Sequence, residues 1–346
     1  MDYTDFRIFF SRMIVLLFIV FCSGCAVIAD YSVGSYDYNR IEESLRLRAL
    51  QKKIEHSVRI NNIGYRLIKS VPRKPRKDQY YVGILTTPVE EYVSRLYGIE
   101  GKSDELLIYG VVKDSPADKA GFIEKDILVS FEGRRINNKN LDNLFAGFKP
   151  DKKYNFQVRR DDRIITLILE PEAVSFNIPF IVVEDAEINV LASPSKITVS
   201  YGLINFSVSD DEIAVTMAHE MAHLINSYLL RDSGVGLFSK IIAIAVGRKE
   251  PPQSGDLGSG SSDSFTGYSE PMERIADIDG IIYAHRAGFD IEKAVQIWER
   301  FFEQMPQSMA TYFGSTHPTS PERLSRLREI IKKIQNGNFV KEKYIN

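Results

Sequence analysis

Apolar residues recur at helical spacing from Arg40 to Ser70: Ile41, Leu45, Leu47, Leu50, Ile54, Val58, Ile63 and Leu67. This pattern predicts one long helix or two in succession. Pro72 and Pro75, set among Arg73, Lys74, Arg76 and Lys77, end it and mark a linker. From residue 79 to 171 the period changes. Short β-rich runs (YYVGIL, LLIYGVV, DILVSFEG, YNFQVRR, RIITLILE) alternate with turns. Beyond Pro171, β-branched runs broken by Asp185 and by Ser193-Pro194-Ser195 predict at least two strands ending near Phe206. Ser209 or Asp210 then caps a helix whose first turn is acidic (Asp210, Asp211, Glu212) and which runs to about Leu230. Residues 251–267 are a low-complexity Gly/Ser/Pro segment. Further helices are expected from Pro271 to about Ala287, where Gly288 stops the pattern, from about Ile291 to Glu303, and from Pro321 to Gln335.

These elements predict an α+β chain of two folded parts. One is a mostly helical domain with a small sheet, built from residues 40–78 and 172–336. The other is a β-rich module inserted at 79–171. Residues 337–346 read as a tail. The length of 346 residues suits this division. With 44 basic and 46 acidic residues interspersed, the formal net charge is −2, and no basic footprint for nucleic acid is present.

The first residues stand apart. Met13 to Phe21 is unbroken apolar sequence preceded by Arg7 and Arg12. It is shorter than the roughly 20 residues a spanning helix requires. A basic start, a short apolar core and small residues describe a secretory signal. Ser23-Gly24-Cys25-Ala26 resembles a bacterial lipobox. On that resemblance residues 1–24 are a signal peptide, Cys25 is acylated, and residues 25–39 tether the protein to a membrane. Cys22 departs from the aliphatic residue usual at its position, and the same run would serve a plain signal peptide or a short anchor. Cys22 and Cys25 are the only cysteines, so cleavage before Cys25 leaves no intrachain disulfide. The expected location is the periplasmic side of a cell envelope. Ala26, in place of an aspartate after the cysteine, points to the outer membrane.

The chemistry concentrates in His219-Glu220-Met221-Ala222-His223. Residues four apart share a helix face, so the two imidazoles can converge on one ion, with Glu220 beside them as a base. Catalytic zinc usually takes three protein ligands and keeps a position for water. The candidate third ligand is Glu273, on a second helix. Asp277, four residues on, is placed to orient a ligating histidine through its outer nitrogen. Thr316-His317-Pro318 precedes the last helix, and a histidine there can donate a hydrogen bond to a substrate oxyanion. His56 and His285 match no motif.

Two resemblances follow. Residues 79–171, with Ser115-Pro116 opening a short helix that Gly121 closes and with a Glu132-Gly133 turn, resemble a PDZ domain of periplasmic proteases. Tyr81, Val82, Gly83 and Ile84 stand where such domains have their carboxylate-binding loop. His219-Glu220-x-x-His223, Glu273-x-x-x-Asp277 and Thr316-His317-Pro318, in that order, resemble the zinc metallopeptidases of the HtpX and CAAX prenyl endopeptidase type. That likeness extends to residues 188–192 and 199–202. It implies a zincin-like fold, one zinc per chain held by His219, His223 and Glu273, and Glu220 and His317 as catalytic groups. It also implies an edge strand, assigned here to Ile197–Tyr201, that holds a protein or peptide substrate. The function expected is a lipid-anchored endopeptidase of envelope quality control, with the PDZ-like module recruiting or gating substrate and 251–267 as a lid. The alternative is a chaperone or assembly factor with minor proteolysis.

Overall fold

The computed structural model describes residues 35–76, 78–145, 147–149, 151–232, 270–304 and 321–339. Helix α1 (Ser35–Ser70) is continuous and starts inside the stretch read as a tether. Its later turns bury Ile60, Ile63, Leu67 and Ile68. It stops at Ser70 because Val71 precedes Pro72, and a residue before proline is driven out of the helical region.

The β-rich module contains β1 (Tyr80–Tyr81), β2 (Ile84–Pro88), α2 (Glu91–Tyr97), β3 (Leu106–Val111), α3 (Pro116–Ala120), β4 (Ile127–Phe131), β5 (Arg134–Arg135), α4 (Leu141–Phe145), β6 (Tyr154–Arg160), β7 (Arg163–Leu169) and β8 (Glu172–Ala173). Its main sheet is antiparallel in the order β2-β3-β4-β6-β7, with β5 paired to β4. The short helix α3 forms as the sequence predicts. Ser115 accepts a hydrogen bond from the Asp118 amide, Pro116 stands first, and Gly121 caps the end. Phe122, Leu128, Phe156, Val158 and Leu169 fill the core. The chain enters and leaves this module through an antiparallel clasp, β1 against β8, with Tyr80 opposite Ala173 and Tyr81 opposite Glu172.

The helical domain contributes a three-stranded sheet of β9 (Phe180–Val183), β10 (Val190–Ser193) and β11 (Lys196–Ser200). The expected edge strand is corrected here. The tight Pro194–Ser195 turn folds β10 antiparallel onto one side of β11, and β9 pairs parallel on the other, so β11 is central. The edges are β9 and β10. The sheet also has one strand more than the minimum expected and ends at Ser200. Residues Tyr201–Phe206 form helix α5, because the Ser200 hydroxyl accepts the Leu203 amide at 3.1 Å and starts a turn.

Among the described residues four helices follow: α6 (Asp210–Asp232), α7 (Glu270–Arg286), α8 (Ile291–Gln304) and α9 (Pro321–Gln335). Their inner faces, the sheet and the end of α1 share one core that includes Leu67, Phe180, Val199, Met217, Met221, Ile278, Trp298 and Leu327. No helix among the described residues is long and apolar enough to cross a membrane.

Candidate metal centre

Helix α6 is anchored at both faces of its first turn. The Ser209 hydroxyl accepts the Glu212 amide at 3.4 Å, and the Glu212 carboxylate reaches back to the Val208 amide at 2.9 Å. Glu212 is wholly buried and also pairs with Arg300 of α8, which fixes the helix against its neighbour.

Two turns further along, His219 and His223 project from one face. Their Nε2 atoms lie 3.1 Å apart. Helix α7 brings Glu273 to the same point, with Oε2 3.4 Å from His219 Nε2 and Oε1 3.2 Å from His223 Nε2. The three residues are buried and offer ligand atoms that all fall within 4.8 Å of one another. Ligands about 2.0–2.1 Å from a tetrahedral zinc are separated by about 3.3 Å, so the observed triangle has the size such an ion requires.

Asp277, one turn beyond Glu273, places Oδ1 3.2 Å from His219 Nδ1. This carboxylate holds the proton on Nδ1 and leaves the Nε2 lone pair for a cation. Arg323 of α9 grips the same carboxylate with two bonds, Nε to Oδ2 at 3.0 Å and Nη2 to Oδ1 at 2.6 Å. Its guanidinium also lies 3.7 Å from Glu273 Oε2 and 4.6 Å from the centre of the Trp298 ring. Burial alone would raise the Asp277 carboxyl, but Arg323 and the His219 N–H outweigh it and hold it below the usual carboxylate range. Burial pushes the His223 imidazole the other way, below its ordinary value, which favours the neutral form a metal needs.

The charge balance makes the same point. Glu220, Glu273, Asp277 and Arg323 are each no more than 5% exposed. They bring three carboxylates and one guanidinium, with Arg326 at the rim 3.9 Å from Asp277. Buried carboxylates in such excess must be protonated or matched by a cation. A divalent ion would offset that excess, so the donor set fits zinc in size, atom type and sign of charge. The close approach of α6 and α7 depends on Gly280. A Cβ built there would lie 2.9 Å from the His219 nitrogen and 3.0 Å from its Cα, so only glycine lets the two ligand-bearing helices come this near.

The structure thus unites His219, Glu220, His223, Glu273 and Asp277. Tyr81, Val82, Gly83 and Ile84 lie elsewhere, along a cleft beside the β-rich module. His317, Cys25 and the 251–267 segment lie outside the described residues. His56 packs its ring edge-on to Tyr201, 5.1 Å between centroids, away from the cluster. Arg323, Trp298 and Gly280 escaped the reading of the sequence. A signal for Arg323 was present: it shares the i, i+4, i+7 face of α9 with buried Leu327 and Ile330, where an arginine must find a partner.

An i,i+4 histidine pair completed by a carboxylate from a second helix is the ligand arrangement of a metallopeptidase, and here it is joined to an inserted β-rich module. Residues 167–331 match the model of Peptidase family M48, and residues 81–170 match that of the PDZ domain. Residues 167–331 are thus similar to the M48 peptidases. It is 26% identical over 174 residues to the mitochondrial metalloendopeptidase OMA1 of Arabidopsis thaliana, covering 49% of this chain and 35% of that one. The OMA1 of Schizosaccharomyces pombe is 28% identical over 161 residues, 44% of this chain and 47% of that protein. A probable periplasmic serine endoprotease, DegP-like, of Chlamydia pneumoniae is 26% identical over 103 residues, 30% of this chain and 21% of that one. The chain therefore spans less than half the length of these relatives.

Two outcomes test the centre. The His219→Ala protein should retain less than about a tenth of the zinc bound by the parent after dialysis, measured by elemental analysis, given the share of affinity one of three ligands carries. Gly280→Ala should also lower zinc affinity, by about tenfold or more, and lower the melting temperature, because α7 must retreat from α6.

Proposed function

We propose that the chain is a zinc-dependent endopeptidase that cleaves protein or peptide substrates. The observation that carries this reading is the buried His219, His223 and Glu273 triangle with Glu220 at its side. When bound, zinc supplies Lewis acidity that polarises a carbonyl and makes water a better nucleophile. Glu220 takes the proton of the attacking water and delivers it to the leaving amine. Asp277 keeps His219 in the ligating tautomer, and Arg323 keeps Asp277 ionised and in place. His317 donates to the oxyanion, as its motif suggests. An extended substrate pairs with an edge of the small sheet. Strand β10 is the edge to choose, since β11 has both sides filled and the exposed Leu191 side chain of β10 is available for contact.

The PDZ domain recruits substrate through the Tyr81–Ile84 loop. The N-terminal pattern, a basic start, an apolar run and Ser23-Gly24-Cys25, supports a lipid anchor at Cys25 and work on the periplasmic face of an envelope membrane, in quality control of its proteins. The likeness to a protein described as a periplasmic endoprotease agrees with that location.

Glu220→Gln should bind zinc like the parent and melt at about the same temperature, yet lose cleavage of a denatured protein substrate by about 10²–10⁴-fold, the range expected for removing a general base. Cleavage at the parent rate would remove Glu220 from the reaction and the endopeptidase reading with it.

A further inference from the structure

The Tyr81–Ile84 loop is not surrounded by its own domain alone. It lines a cleft of about 670 Å³ whose walls come from three parts of the chain. The PDZ domain supplies Val82 to Leu85 and the aromatic rings of Phe145 and Phe148. The protease domain supplies Asn61 of α1 and the segment Asn177 to Pro179, which runs directly into β9.

The two sides are tied at this point. The Asn177 amide donates to the Tyr80 carbonyl at 2.6 Å, one residue before the loop. The Tyr65 ring of α1 stacks on Tyr81 with centroids 4.5 Å apart. Asn61 donates to the Phe180 carbonyl at 3.1 Å, the first residue of β9. Strand β9 in turn pairs with β11, in the sheet that packs on the active-site helix.

The cleft also states what it takes. The main-chain N–H groups of Val82 and Gly83 donate to no acceptor among the described residues. Gly83 has φ of 89°, a left-handed conformation of the kind that turns successive amides toward an anion. A Cβ at that position would also strike the Ser115 hydroxyl at 2.2 Å, so the loop is built on glycine. Next to these amides, β2 is an edge strand of its sheet, able to pair with an extended segment. Ile84, Phe145, Phe148 and Pro179 are apolar. A chain terminus with a free carboxylate and an apolar last side chain meets all of these features.

We propose that this cleft is a two-domain site, in which a bound C-terminal peptide touches Asn177 and Pro179 of the protease domain as well as the PDZ loop, so that its binding is coupled to the placement of β9. The proposal rests on the PDZ domain being a peptide binder, as inferred above. A ligand that contacts both domains favours the arrangement in which both walls are in place, and the coupling is reciprocal by thermodynamic necessity. Asn177 and Pro179 are therefore specificity-determining residues, although they lie outside the PDZ domain.

The test uses full-length Glu220→Gln protein, so that the probe is not consumed, and a dye-labelled hexapeptide ending in two valines, followed by fluorescence anisotropy. The free-acid peptide should bind at least about tenfold more tightly than its C-terminal amide. Adding Asn177→Asp or Pro179→Asp sets a like charge by the carboxylate and should weaken binding about tenfold, whereas Ile164→Asp on the far edge strand β7 should change it less than twofold. Saturating peptide should slow amide exchange at residues 180–183. Binding unchanged in both protease-side variants would confine the site to the PDZ domain and overturn the proposal, as would equal affinity for acid and amide or unaltered exchange in β9. Melting temperatures of the two variants check folding; if one is destabilised, the other decides. Because the readout is binding, the two readings fail separately. Parent protein that binds the probe but cleaves nothing overturns the endopeptidase, and protein that cleaves but ignores the probe overturns this site.

Discussion

Three carboxylates buried around a single guanidinium set the terms for the rest of the helical domain. Asp277 is tolerable in the interior because Arg323 grips it with two bonds and His219 faces its other side. Glu273 offers its carboxylate to the two histidines and lies 3.7 Å from Arg323, in position to hold a divalent cation. Charge in a low-dielectric interior is expensive when unmatched, so a metal held here would add to stability as well as to chemistry. The cluster joins α6, α7 and α9 at one point. Trp298 of α8 closes it by offering its ring face to Arg323.

Such a centre works only if the helices that carry it hold their separation to within about 0.5 Å. Gly280 sets how close α7 comes to α6, and the Glu212–Arg300 pair sets how α6 lies on α8. The sheet beneath contributes differently. Its middle strand is saturated, which leaves β9 and β10 as the edges. The candidate ligands thus sit on packed helices, whereas the open backbone lies at the sheet edges.

Much of this was written locally in the chain. The i,i+4 spacing of His219 and His223, and again of Glu273 and Asp277, placed each pair on one helix face, and the structure brings the two pairs together. Helix α9 has the predicted bounds, set by Pro321 and by the end of the apolar period. What could not be read was non-local. Strand order depends on which edges meet, and nothing within Ile197–Ser200 says that β9 will fill its second side. Residues 201–206 are apolar enough for a strand, and only the Ser200 side chain turns them into a helix. Arg323 looked like an ordinary helix arginine until its face was known. The cleft beside the Tyr81–Ile84 loop is closed in part by Asn177, 97 positions from the Tyr80 carbonyl it meets.

The clasp of Tyr80–Tyr81 against Glu172–Ala173 carries an implication for how this architecture arose. Because the two ends of the PDZ domain leave the protease at adjacent points, the domain behaves as a cassette plugged into one socket. Its insertion leaves the threading of the helical domain's core unaltered. The socket opens onto the segment leading into the three-stranded sheet, so anything seated at the Tyr81–Ile84 loop lies within reach of β9.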